Sequence, residues 1–118
     1  MTLTIYHNPR CSKSRAALAL IEEHGIEPVI VPYLDAPPDA ARIAELARLA
    51  DVPVSALLRR GEDEYRSATD LPDLDDDTAL AAWLAEHPRV LERPVIVDDA
   101  LGRAVIGRPP ENVRALLG

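Results

Sequence analysis

The sequence predicts an α/β fold in which a βαβ unit and a later ββα unit share one sheet, with a helical insertion between the second and third strands. Three observations predict it. Near the start, the runs Leu3-Thr4-Ile5-Tyr6 and Pro28-Val29-Ile30-Val31-Pro32-Tyr33 read as strands and bracket a stretch of helical periodicity. Near the end, Pro94-Val95-Ile96-Val97 and Arg103-Ala104-Val105-Ile106 form a second pair around the turn-rich Asp98-Asp99-Ala100-Leu101-Gly102. Between the two pairs, apolar residues recur at helical spacing.

Taken in order, the first strand alternates in character and is broken by Asn8-Pro9. The first helix spans Ser12 to His24, with Ala17, Leu18, Leu20 and Ile21 as its apolar stripe and Gly25 as its stop. The second strand, Pro28 to Tyr33, reads as buried. Strand, helix and strand make a βαβ unit, which favours a parallel pair with a right-handed crossover. Pro37-Pro38 opens a second helix over Asp39 to Ala50, with Ile43, Leu46, Ala47 and Ala50 on one face. A short helix is expected over Val54 to Arg60, ending at Gly61, followed by a polar stretch. Thr78 to Glu86 resumes helical spacing around Leu80, Trp83 and Leu84. After the hairpin, a last helix runs from Pro110 to Leu117. This order is the plan of a thioredoxin-like fold, expected here as one domain over residues 1–118.

Composition narrows the function classes. Apolar residues make up 47% of the 118, enough for a packed core built from aliphatic side chains, since Phe is absent. The formal net charge of -7 opposes a nucleic-acid or anionic-membrane surface. No run approaches the ~20 apolar residues of a membrane span, and the first residues lack a charged leader followed by a long apolar stretch. A cytoplasmic enzyme is therefore expected. The acidic run Asp70-Leu71-Pro72-Asp73-Leu74-Asp75-Asp76-Asp77 reads as a solvated loop and helix start, and no calcium-loop spacing accompanies it. No metal site and no phosphate-binding glycine fingerprint is found.

Cys11 is the only cysteine. It lies in His7-Asn8-Pro9-Arg10-Cys11-Ser12-Lys13-Ser14-Arg15, between the first strand and the first helix. The first amides of a helix lack intrahelical partners and carry partial positive charge, so a thiol placed there ionises more readily. The flanking His7, Arg10, Lys13 and Arg15 are expected to act in the same direction. Each unit of pKa depression takes only about 1.4 kcal/mol. In the thioredoxin-like plan this turn faces the one before the third strand, here Arg93-Pro94. A cis bond costs little before proline, so Arg93-Pro94 is expected to be cis and to border Cys11.

These residues resemble a known family. The Cys11 turn, Tyr33-Leu34 with Pro37-Pro38, Leu57-Leu58-Arg59, Glu92-Arg93-Pro94-Val95-Ile96-Val97 and Gly107-Arg108-Pro109-Pro110-Glu111 are similar, in order and spacing, to the glutaredoxin-coupled arsenate reductases. The resemblance implies reduction of arsenate to arsenite, with glutathione as co-substrate, glutaredoxin as partner and no bound cofactor. It further implies Cys11 as the nucleophile and Arg59, Arg93 and Arg108 as the arginines that hold the oxyanion. His7 is implied to lower the thiol pKa, and Ser14 and Arg15 to build the turn. Arg59 stands beside Arg60, and the choice between them rests on the Leu57-Leu58-Arg59 match. Ser12 and Lys13 replace the Gly-Thr common after the cysteine in the family. A monomer is expected.

Two other functions fit the same fold. One is a monothiol oxidoreductase acting on glutathionylated substrates, for which three oxyanion-facing arginines are unnecessary. The other is a regulator that binds RNA polymerase and senses redox state through a Cys-x-x-Cys switch. Ser14 occupies the second switch position, so an internal disulfide cannot form.

Overall fold

A computed structural model describes residues 2–117. The chain divides into two compact units, one comprising residues up to Ala36 and from Arg93 onward, the other Pro37–Glu92.

The first unit carries the sheet. Its strands are β1 (Thr4–His7), β2 (Val29–Pro32), β3 (Val95–Asp98) and β4 (Arg103–Ile106), in the order β2-β1-β3-β4. β1 and β2 are parallel, as the βαβ reading requires, and β1–β3 and β3–β4 are antiparallel. The crossover helix α1 (Ser12–Glu23) buries Ala17 and Ile21 against Leu3, Ile5 and Ile96. Val113 and Leu116, from the C-terminal segment, complete this cluster. β3, paired on both edges with β1 and β4, is buried along its whole length. Gly102, at a φ of 66°, closes the β3–β4 hairpin in the left-handed region that glycine tolerates. Asp98 is buried there, and its carboxylate accepts from the Leu101 amide at 3.1 Å.

In the second unit, α2 (Ala40–Leu49) packs on α4 (Asp77–Glu86), and Ile43, Leu46 and Ala47 of the one and Leu80 and Leu84 of the other are buried. Asp39 caps α2 by accepting from the Arg42 amide at 2.8 Å, and Asp76 caps α4 by accepting from Ala79 at 3.1 Å. The acidic run therefore has structural employment. Asp70 accepts from the Trp83 indole at 3.0 Å, Asp73 from the Asp75 amide at 2.9 Å, and Asp77 from the Val54 amide at 3.3 Å. Among the described residues no group of His, Cys, Asp and Glu could hold a metal ion, and no helix is long and apolar enough to cross a membrane.

The structure corrects four local expectations. β2 is not buried: it pairs on one side only, and Val29 and Ile30 are 52% and 47% exposed. Pro28 and Pro32, without amide donors, blunt that free edge. The helix expected over Val54 to Arg60 stops as a 3-10 turn at Leu57, and Leu58 is extended and bridged antiparallel to Leu91. The polar stretch after Gly61 holds a single helical turn, α3 (Asp63–Arg66), with an Asp63–Arg66 ion pair at 2.6 Å. The last helix begins as a 3-10 turn over Pro110–Val113 and becomes α-helical only at α5 (Arg114–Leu117).

Candidate active site

Cys11 occupies the N-cap position of α1 in extended backbone conformation, with no side-chain cap. Its thiol is partly exposed and free. The turn before it is tied down locally. The Cys11 amide donates to the Asn8 carbonyl at 3.0 Å, and the Arg10 amide donates to the Asn8 side-chain oxygen at 3.0 Å. Arg15 reaches back to donate to the Pro9 carbonyl at 2.9 Å. Ser14 is fully buried beneath the turn, where its hydroxyl accepts from the Asn8 amide at 3.1 Å and pairs with His7 Nδ1 at 2.6 Å.

Burial pushes the Cys11 thiol up, but the balance lies on the other side. The Ser14 amide, the Arg93 guanidinium and the Lys13 amide all stabilise the thiolate, leaving its pKa below the ordinary thiol value. The amides do what a helix N-terminus offers an anion. The side chains of His7, Arg10, Lys13 and Arg15 are not among the groups that move the thiol. His7 is itself held below its usual pKa, first by burial and then by the Arg15 charge, so near neutral pH it is an uncharged imidazole. Its contact with the turn runs through Ser14.

Strand register explains why Arg93 arrives at the thiol. Tyr6 pairs with Val95, so two steps further the antiparallel ladder sets Arg93 level with Asn8. Val95 pairs with Ile106, and the Gly107 amide donates to the Pro94 carbonyl at 2.8 Å, which sets Arg108 level with Arg93. Both arginines precede cis prolines, Arg93-Pro94 as expected and Arg108-Pro109 in addition. A side chain on Gly107 would meet Pro94 Cγ at 2.8 Å, so only glycine admits this approach. Cys11, Arg93 and Arg108 thus belong to one end of one sheet.

Arg59 belongs to the second unit. Its backbone is extended, and its amide donates to the Val90 carbonyl at 2.6 Å. Its Nε sits 3.5 Å from Glu62, while Nη1 is buried without a hydrogen-bond acceptor. Such a donor is costly to bury and well suited to an anion.

A family model described as the ArsC family matches residues 6–116. The chain belongs to the ArsC family. Within it, an arsenate reductase of Neisseria meningitidis serogroup A is 45% identical over 117 residues, covering 98% of this chain and 97% of that protein. An Escherichia coli arsenate reductase is 36% identical and matches 98% of this chain over 80% of its own length. Among solved structures, an arsenate reductase from Vibrio cholerae superposes with a TM-score of 0.85 at 40% identity, over 98% of this chain and 97% of that one. The ArsC architecture is thioredoxin-like, in agreement with the strand and helix order derived above.

One consequence of the site's construction is directly measurable. Ser14→Ala removes the acceptor for the Asn8 amide and the partner of His7 Nδ1, both buried. Leaving such groups unmet costs about 1–3 kcal/mol. Urea or thermal unfolding is expected to register that loss, and an unchanged midpoint would mean that the two contacts contribute nothing net. The sequence also leaves one residue of this region without an assigned role. Tyr33 enters only as part of the Tyr33-Leu34 motif, and its burial at the same sheet end is a product of the fold.

Proposed function

We propose that this protein is an arsenate reductase that works through the Cys11 thiolate and draws its electrons from glutathione and glutaredoxin. The observation that carries the proposal is the thiol itself, poised on helix amides with the Arg93 guanidinium against it. Arsenate is a tetrahedral oxyanion, and helix-terminal amides and arginine forks are its natural hosts. Arg93 and Arg108 are assigned to its oxygens from their shared place at the sheet end, and Arg59 from the family resemblance and its unmet buried donor. His7, Ser14 and Arg15 hold the turn that aims Cys11.

In the proposed reaction the Cys11 thiolate attacks arsenic and an oxygen leaves as water or hydroxide. A glutathione thiolate then attacks the Cys11 sulfur of the adduct. The sulfur–arsenic bonding pair stays with arsenic, which leaves as arsenite, reduced by two electrons. Cys11 and glutathione are left joined as a mixed disulfide, which glutaredoxin reduces by thiol–disulfide exchange. A single cysteine suits this scheme, because the resolving thiol comes from outside. No bound cofactor is needed, and the protein is taken to act as a monomer.

The test couples the purified protein to glutathione, glutathione reductase and glutaredoxin and measures arsenite. Arsenate-dependent arsenite formation is expected. Without glutaredoxin, glutathionylated Cys11 is expected to accumulate and to be visible by mass spectrometry. Arsenite at the protein-free rate would sink the reading. Turnover of a glutathionylated peptide with no action on arsenate would replace it with a general monothiol oxidoreductase.

A further inference from the structure

Tyr33 is fully buried, at 0% exposure, yet its hydroxyl oxygen has no hydrogen-bond partner. Its place is set by the sheet. Pro32 pairs with His7 in the parallel β1–β2 ladder, so Tyr33 comes level with Asn8, as Arg93 does from the other side of β1. The ring therefore enters the same sheet end as the Cys11 turn. The electrostatic surroundings agree. The groups that act on its hydroxyl are Arg93, Asn8 and Cys11.

Arg93 and the Asn8 side chain lie toward the phenol oxygen as donors and favour the phenolate without completing a hydrogen bond, but burial outweighs them and pushes the Tyr33 pKa up. The phenol is therefore protonated throughout the physiological range, a neutral donor beside a cation and a thiolate. Arg93 has only donors to offer. The Asn8 side-chain oxygen already accepts from the Arg10 amide. Cys11 acts on the hydroxyl by its charge without meeting hydrogen-bond geometry. Tyr33 Oη thus lies at the same sheet end as Cys11, buried and without an acceptor for its proton among the described residues.

We infer that the Tyr33 hydroxyl donates a hydrogen bond to an oxygen of the tetrahedral oxyanion held at Cys11, making Tyr33 a substrate-contacting residue. The inference rests on the oxyanion chemistry proposed above. A neutral donor complements the arginines: it recognises an oxygen without adding charge, and its rigid ring is positioned by burial. A packing role alone needs the ring and not the hydroxyl.

The experiment follows protection of Cys11 from iodoacetamide by arsenate, with glutathione absent, in wild type and Tyr33→Phe. Half-protection in Tyr33→Phe is expected to need about tenfold more arsenate, the usual scale for a hydrogen bond to a charged group. The pH profile of alkylation without arsenate is expected to stay in place, because the thiolate rests on the amides and Arg93. Equal arsenate dependence in the two proteins overturns the role of Tyr33 and leaves the reductase reading intact. Absence of protection in wild type overturns both. If Tyr33→Phe does not fold, 3-fluorotyrosine at position 33 of the otherwise unchanged protein supplies the answer. Its fluorine resonance is expected to shift on arsenate addition, and a fixed resonance overturns the inference.

Discussion

Arg93→Ala is expected to lose two properties together: the low pKa of Cys11 and most of the arsenate turnover. The guanidinium stabilises the thiolate both by a hydrogen bond and by its charge. Without it, the burial that pushes the thiol up is opposed only by the Ser14 and Lys13 amides. The alkylation midpoint of Cys11 therefore moves upward, and the thiolate fraction near pH 7 falls. Loss of a donor aimed at developing oxyanion charge typically costs a further 10²–10³-fold, so kcat/KM is expected to drop by roughly that factor or more. Arg93→Lys separates the two contributions. A lysine keeps the charge but not the planar fork, so it is expected to recover part of the thiol pKa and little of the turnover. An alanine variant with an unshifted alkylation profile would assign the thiolate to the helix amides alone.

The division between what was legible in the sequence and what was not follows the range of the interactions. The Cys11 turn was legible because its signals are local: a strand broken by Asn8-Pro9, then a helical stripe ending at Gly25. The hairpin of β3 and β4 was legible for the same reason, with four strand residues on each side of a glycine-containing turn. Local spacing places Arg59 in a helix because Val54 to Leu57 do begin one. What ends it is the pairing of Leu58 with Leu91, more than thirty residues away, which no local pattern encodes. The exposure of Val29 and Ile30 was likewise hidden. An apolar run reads as buried whether it becomes a central strand or an edge, and the sheet order decides. The electrostatics divide in the same way. Counting basic residues around Cys11 suggested four local cations, whereas the one side-chain cation that acts on the thiol, Arg93, comes from the far end of the chain through strand register.

Cys11→Ser is expected to abolish arsenite formation while leaving stability unchanged or slightly raised, and the pairing of those outcomes is the informative part. A serine hydroxyl remains protonated where the Cys11 thiol has already ionised, so the groups that prepare the thiolate have nothing to stabilise. No sulfur remains to join arsenic or glutathione, and the glutathionylated form is expected to vanish from the mass spectrum. For the fold, two small effects of opposite sign nearly cancel. The lowered thiol pKa means that the folded thiolate contributes some stability near and above neutral pH, which the serine variant gives up. Serine at the same N-cap position can accept from a first-turn amide, a gain on the order of 0.5–1 kcal/mol. Unfolding midpoints equal to or above wild type, with arsenite at the protein-free rate, would place Cys11 in the chemistry and outside the stability of the domain. Residual turnover well above that rate would instead require a nucleophile other than the chain's single cysteine, and the proposed reaction would fall with it.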